Sequence, residues 1–175
     1  MAWGKFQQGK YGILHPEKYI GDHTNCVFRS SWERILMKWF DETPEILRWQ
    51  SEEKEIPYWD PTSSKMRRYI IDFVFWSNTK DGLTKFLVEV KPKHETQPPK
   101  RGPKESEFTW QEKVKTWTIN SAKWAAAKKV AEAEKAVFII LTEDHIMPNR
   151  NAIKPYRQPK KPKVKVNGNV SSRKN

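Results

Sequence analysis

Two short apolar segments, each interrupted by charged residues, constrain the fold of this chain more than any other feature. The first spans residues 69–75 and contains Asp72; the second spans 86–91 and contains Glu89 and Lys91. Nearly continuous apolar runs are typical of β-strands that are covered on both faces. A charge on such a strand is costly unless it is paired or binds a metal ion. The two segments therefore predict a buried sheet that contains a charged site.

The spacing of these charges suggests a chemistry. Side chains two residues apart on a strand point to the same face, so Glu89 and Lys91 share one face, roughly 7 Å apart, while Val88 and Val90 face the other way. If the two strands are neighbours, Asp72 and Glu89 converge on one divalent cation such as Mg²⁺, which prefers carboxylate oxygens. Lys91 would then orient a water or help to deprotonate it. A simple salt bridge between the strands fits the same three residues.

Size and composition restrict the class of protein. The 175 residues suit one domain. The single cysteine, Cys26, excludes an intrachain disulfide and fits a reducing compartment. No apolar run approaches the roughly 18 residues of a membrane helix, so no membrane span is expected.

Positive charge is concentrated at the end of the chain. The formal net charge is +12, and residues 149–175 hold nine basic residues and no acidic one. Together with its prolines, this composition predicts a disordered tail that follows a folded domain at 1–148, whose first 28 residues look irregular. Such a tail would bind the phosphate backbone of nucleic acid. The lysines expected to do so are Lys160, Lys161, Lys163 and Lys165. A solubility tail or a contact with an acidic protein would have the same composition.

Hydrophobic periodicity gives the order of the elements. Residues 29–41 are predicted to form a helix whose apolar stripe contains Trp32, Ile35, Leu36 and Trp39. Further along, we expect a strand or hairpin within 45–58, a turn at 61–64, strands at 68–76 and 84–91, a loop at 92–107, a helix at 109–134 and a strand at 137–141. This order predicts an α/β fold with a mixed central sheet flanked by helices.

Glu33 is a third candidate carboxylate, on the first turn of the first predicted helix. In one interpretation it supports the metal site, and Arg29 nearby meets a phosphate. In the other, Ser30 and Glu33 form a capping box, a common start of a helix, and Arg29 is a solvated surface residue. The spacing is compatible with both.

The second predicted helix adds polar candidates. Asn120, Lys123 and Trp124 are spaced so that they lie on one turn of the helix. Asn120 and Lys123 are candidates for contact with DNA. Alternatively, Trp124 packs in the core and Lys123 extends to solvent.

The ordered set Glu33, Asp72 and Glu89-Val90-Lys91 resembles the signature of the PD-(D/E)xK nuclease superfamily, with Ile71 in place of the usual proline. Over most of residues 12–143 the chain is similar, more narrowly, to the head-completion nucleases of T-even-like tailed phages. It also looks like transposon-end nucleases and phage junction resolvases. The stretches that carry the narrower resemblance are residues 16–22, 28–33, 49–53, 56–58, 68–73, 88–92 and 120–124.

This resemblance implies a restriction-endonuclease-like core and Mg²⁺-dependent hydrolysis of DNA phosphodiester bonds, with Mn²⁺ as a substitute. It implies Glu33, Asp72, Glu89 and Lys91 as catalytic residues. Asp72, Glu89 and the Val90 carbonyl would hold the metal, with Glu33 as a further ligand. The role implied is phage head completion after DNA packaging, in the host cytoplasm or the virion, with portal or other head-completion proteins as partners.

Two other functions remain compatible with the residues. A virion component could bind DNA or the portal without cutting, with the acidic cluster serving as an ion pair. A DNA junction resolvase would use the same charged residues, although no dimer-forming extension is evident in the sequence.

Overall fold

A computed structural model describes residues 8–148, and the predicted basic tail lies outside them. The helices are α1 (Ser31–Glu42), α2 (Glu107–Ala133) and the single turn α3 (Glu143–Ile146), and short 3₁₀ turns lie at Pro16–Lys18, His23–Asn25 and Lys93–Thr96. The strands are β1 (Gly9–Lys10), β2 (Val27–Phe28), β3 (Ile46–Ser51), β4 (Glu55–Asp60), β5 (Lys65–Ile70), β6 (Phe73–Thr79), β7 (Gly82–Val90) and β8 (Val137–Leu141). No helix in the described part of the chain is long and apolar enough to cross a membrane.

The central sheet has four strands in the order β3-β6-β7-β8. Strands β6 and β7 form an antiparallel hairpin, closed where Thr79 pairs with Gly82. Gly82 has a φ of +99°, which glycine adopts without steric cost. Strand β8 runs parallel to β7, after the long helix α2 has crossed over. The sheet is therefore mixed, and the predicted α/β class is confirmed.

The two faces of the sheet carry different apolar clusters. Phe73 and Val88 belong to the cluster that includes Phe40 of α1. Leu87, one residue from Val88, belongs instead to the cluster that includes Ala127 of α2. Because side chains alternate along a strand, the residues that follow Leu87 at intervals of two also face α2. Glu89 and Lys91 are those residues.

The predicted strand at 68–76 is in fact two strands in different sheets. Strand β5 ends at Ile70 and pairs with β4 in a separate two-stranded sheet, whereas β6 starts at Phe73 in the central sheet. The candidate hairpin within 45–58 is divided in the same way between β3 and β4. The apolar residues on both sides of Asp72 do not reveal this break, because both halves are strands. The break places Asp72 at the junction of the two sheets.

The prediction of which side of the first helix is buried is also wrong in part. The buried side chains of α1 are Leu36, Met37, Phe40 and Asp41. Ile35 and Trp39 are 41% and 47% exposed. Apolar residues lie on several sides of this helix, and the stripe that becomes buried is the one whose Phe40 ring packs against Trp49, Phe73 and Phe75.

Asp41 anchors the N-terminal segment to the end of α1. Its fully buried carboxylate accepts hydrogen bonds from the backbone N–H of Leu14 at 2.7 Å and of His15 at 3.1 Å, and from the Tyr11 hydroxyl at 3.3 Å. The Lys18 ammonium donates to the backbone carbonyls of Asp41 and Thr43, both at 2.8 Å. Residues 11–18 are therefore fixed to the core by polar contacts.

Asp41→Asn is expected to lower the free energy of unfolding by about 3 kcal/mol, because the amide NH₂ would face backbone donors in a buried position. The thermal midpoint should fall by about 6–10 °C, measured by circular dichroism. Glu42→Gln is the matched control, since the Glu42 side chain is 45% exposed. Equal midpoints for Asp41→Asn and the native chain would contradict this anchoring role.

Candidate active site

Asp72 and Glu89 face each other across the central hairpin. Phe73 pairs with Val88 in the antiparallel register, so Asp72, immediately before β6, lies opposite Glu89. The backbone N–H of Val90 donates to Asp72 Oδ2 at 2.6 Å, which fixes the aspartate beside the end of β7. That these two segments are neighbours is an assumption in the sequence analysis, and the structure shows that they lie side by side.

Glu89 is the most deeply buried of the site residues, at 4% exposure. Its Oε1 lies 3.2 Å from the ammonium of Lys91, which strand alternation predicts to lie on the same face. Its Oε2 is buried and has no hydrogen-bond partner within residues 8–148. A buried carboxylate oxygen without a partner is costly, which leaves a place for a cation or a water.

The electrostatics of the pair follow from this geometry. Burial and the charge of Glu89 raise the pKa of the Asp72 carboxyl to about 7, although the Val90 N–H and Lys91 act in the opposite direction. Burial alone would lower the pKa of Lys91, but Glu89 and Asp72 outweigh it and raise the pKa above its ordinary value. Lys91 is therefore an ammonium ion at neutral pH. An ammonium can donate to an anion or to a water but cannot accept a proton.

Glu33 lies at the start of α1, on the other side of the sheet from α2. Its Oε1 accepts from the Ser30 hydroxyl at 2.7 Å, and its Oε2 accepts from the Arg29 backbone N–H at 2.8 Å. Ser30 Oγ in turn accepts from the Glu33 N–H. The carboxylate thus caps the helix, as one interpretation predicts, but binds the amide of Arg29 rather than that of Ser30. Its charge also contributes to the raised pKa of Asp72, after burial and Glu89.

The guanidinium of Arg29 is held by Glu52. Two hydrogen bonds join them, Nε to Oε1 at 2.7 Å and Nη2 to Oε2 at 2.9 Å. The backbone N–H of Glu52 donates to the carbonyl of Asp72 at 3.1 Å, so this ion pair borders the site. Glu52 has a φ of +54°, an uncommon conformation for a residue other than glycine. Sequence reasoning missed Glu52, and no local pattern points to it.

The α2 residues lie on the sheet face that carries Glu89. Asn120 and Trp124 are buried, and the Lys123 ammonium lies 5.5 Å from the centre of the Tyr69 ring. Tyr69 is a second residue that sequence reasoning missed, because an aromatic residue in an apolar strand looks like core. Its hydroxyl is buried with no partner among the described residues, and burial, Glu89 and Asp72 raise its pKa.

These residues fit a hydrated divalent cation. No group of three or more His, Cys, Asp or Glu side chains in residues 8–148 forms a ready-made metal cage. Mg²⁺ does not need one, since it usually keeps several waters and binds through one or two carboxylates. Asp72 and Glu89 supply two carboxylates, and the unpartnered Oε2 of Glu89 is the observation that favours a ligand there.

Comparison with known proteins assigns the chain to a family. Residues 43–143 match the family of TnsA-like endonuclease N-terminal domains, and that stretch contains Asp72, Glu89 and Lys91. The chain belongs to the TnsA-like endonucleases. The predicted restriction-endonuclease-like core is thereby confirmed. This TnsA-like chain is also 38% identical over 139 residues to the head completion nuclease of Enterobacteria phage T4, covering 78% of this chain and 91% of that protein. No solved structure matches the chain.

Proposed function

We propose that this chain is a Mg²⁺-dependent DNA endonuclease that hydrolyses phosphodiester bonds and acts in phage head completion after DNA packaging. The observation that carries the proposal is the adjacent pair Asp72 and Glu89. The Val90 N–H fixes Asp72, Lys91 lies 3.2 Å from Glu89, and the second Glu89 oxygen has no partner among the described residues. Burying two carboxylates and a lysine close together lowers the stability of the folded protein. Their cost is explained if a cation and a phosphate complete the site.

Asp72, Glu89 and the Val90 carbonyl would hold the ion. When bound, a divalent cation activates water for attack and offsets the charge of the phosphate. Lys91, kept as an ammonium by its carboxylate neighbours, contacts a phosphate oxygen and orients the attacking water. Glu33 holds the start of α1 in place and adds negative charge near the metal, where it supports the metal site or a second ion.

DNA contacts are assigned to three described residues and to the tail. Glu52 holds the guanidinium of Arg29 beside Asp72. Arg29 binds a DNA phosphate when that phosphate replaces the Glu52 carboxylate as its partner. Asn120 and Lys123 approach the scissile strand from α2. We place the boundary of the nuclease domain at residue 148. The tail lysines at 160, 161, 163 and 165 lie outside the described residues, and their binding to the phosphate backbone stays a prediction.

The biological role rests on the phage T4 relative, whose name states head completion. A nuclease in that role acts on packaged DNA in the host cytoplasm during assembly, or in the virion. Portal or other head-completion proteins are the partners that such a role requires. The resemblance extends over both sides of the proposed site, since it covers 78% of the chain.

Purified protein is expected to nick and linearise supercoiled plasmid DNA when Mg²⁺ or Mn²⁺ is present. A chelator should stop the reaction, and excess Mg²⁺ should restore it, because the carboxylates without a cation repel the phosphate. Gel electrophoresis of the plasmid forms measures the rate. Equal cleavage in chelator would contradict metal dependence. DNA binding without cleavage in any divalent metal would instead indicate a non-catalytic virion component.

A further inference from the structure

A cavity of about 610 Å³ lies between the segment 92–106 and the first half of α2. His94 and Glu95, three and four residues after Lys91, form one wall, and Asn120 of α2 is part of another. The charge of Glu95 also acts on Lys91. The cavity therefore includes residues that follow Lys91 closely in the chain, and one of them influences the charge of Lys91. Its volume is in the range of pockets that bind small organic groups.

The walls of the cavity combine flat apolar surfaces with one polar group. The half-buried indole of Trp117 is held edge-on by Trp124, with ring centroids 5.7 Å apart, and Pro98 and Pro99 complete the apolar part. The Asn120 side chain is nine-tenths buried. Its amide makes no hydrogen bond within residues 8–148, although the amide can both donate and accept. Because Asn120 lines the cavity, a water or a ligand there can pair with this amide.

Charged side chains of both signs border the opening: Glu95 and Glu112 are acidic, and Lys100 and Lys113 are basic. Lys100 is exposed at the rim of the cavity, and Lys113 lies on the neighbouring turn of α2, where it pairs with Glu105. An aromatic platform, a donor–acceptor amide and an adjacent cation are the groups that bind a base and its phosphate.

Building on the proposed nuclease function, we propose that this cavity receives one nucleobase of the DNA strand next to the scissile phosphate, unstacked from its neighbours. Trp117 stacks on the base, Asn120 hydrogen-bonds to its edge and Lys100 contacts the adjoining phosphate. Enzymes that take a base out of the stack select DNA in which unstacking is easy. The cavity therefore favours substrates whose bases are unpaired or weakly paired near the cut.

The test compares two short single-stranded oligonucleotides with identical phosphates, one with all its bases and one in which the central nucleotides are abasic. Binding is measured by fluorescence anisotropy without divalent metal, so that no cleavage occurs. The native chain should bind the complete oligonucleotide about tenfold more tightly. Trp117→Ala and Asn120→Ala should each reduce this ratio. Trp59→Ala is the matched control, because Trp59 is 54% exposed on β4 and should leave the ratio unchanged.

A second variant distinguishes loss of base binding from misfolding of the protein. Thr116 is exposed on α2 and lines the cavity, so Thr116→Trp should fill the opening without disturbing the core. It should abolish the base preference with an unchanged thermal midpoint. Equal affinity of the native chain for both oligonucleotides, or an unchanged ratio in Thr116→Trp, would overturn the proposal and leave the cavity to another occupant, such as a protein segment. Metal-dependent plasmid cleavage by the native chain, assayed separately, shows whether the nuclease function fails as well.

Discussion

Lys91→Ala is expected to lower the rate of metal-dependent plasmid cleavage by about 10² to 10³-fold, the usual effect of removing one group that stabilises transition-state charge. The native ammonium lies 3.2 Å from Glu89 and is kept charged by two carboxylates. Its loss removes the positive charge that faces the phosphate and leaves Glu89 and Asp72 without compensation. The loss should appear in kcat, while DNA affinity without metal changes much less.

Two companion variants make the result specific. Lys93→Ala removes a lysine two residues further on, whose side chain is 67% exposed in an ion pair with Asp144, and should cut at nearly the native rate. Lys91→Arg keeps the charge but changes its shape, so partial activity there would assign the effect to charge. If Lys91→Ala cut as fast as the native chain, the assignment of this lysine to the site would be wrong.

Asp72→Asn is expected to abolish cleavage and at the same time stabilise the metal-free protein. Asparagine can still accept the Val90 N–H bond, but it removes one of two adjacent buried negative charges. We estimate a gain of about 2 kcal/mol, after discounting for the partial exposure of Asp72, and a rise of about 5 °C in the thermal midpoint at pH 8. A residue retained at a cost in stability is typical of a functional site.

The pH dependence of this gain has a definite sign. The pKa of Asp72 is raised to about 7 in the folded protein, against about 3.9 in the unfolded chain. Folding is therefore penalised increasingly as the pH rises from 4 to 7, and the penalty is constant above that range. Thermal melts in chelator should show the two midpoints converging near pH 4 and separating by pH 8. Asp81→Asn, in the exposed turn between β6 and β7, should show no such trend.

Metal binding supplies an independent readout of the same variant. Mg²⁺ or Mn²⁺ should raise the thermal midpoint of the native chain, because a ligand that binds only the folded state stabilises it. Asp72→Asn should lose most of this shift. A midpoint that rises equally in both proteins would show that the cation binds elsewhere.

Local patterns were sufficient for part of the site. The alternation of side chains on a strand places Glu89 and Lys91 on one face, and the structure shows them in contact. Strand β8 matches its predicted span, because a short apolar run between a helix and polar residues has few alternatives. The capping role of Glu33 was also available from its spacing to Ser30. These inferences depend only on residues close together in sequence.

Contacts between distant residues were beyond the sequence. Arg29 and Glu52 are 23 residues apart, and their ion pair depends on how α1 and the end of β3 meet. The break at Asp72 depends on β5 and β6 joining different sheets, which an apolar run does not reveal. The buried stripe of α1 was wrongly predicted for the same reason: the aromatic residues of the sheet determine which of several apolar stripes is covered.

The sequence by itself determined which carboxylates and which lysine interrupt the apolar segments, and the class of enzyme that such a set resembles. These properties follow from short-range periodicity and from the cost of burying charge. Only the tertiary structure decided how the set is assembled. It places Asp72 beside Glu89 through the β6–β7 register and pairs Arg29 with Glu52. It also forms a cavity between α2 and the segment after Lys91. Packing of the whole domain fixes those distances, and no single segment contains that information.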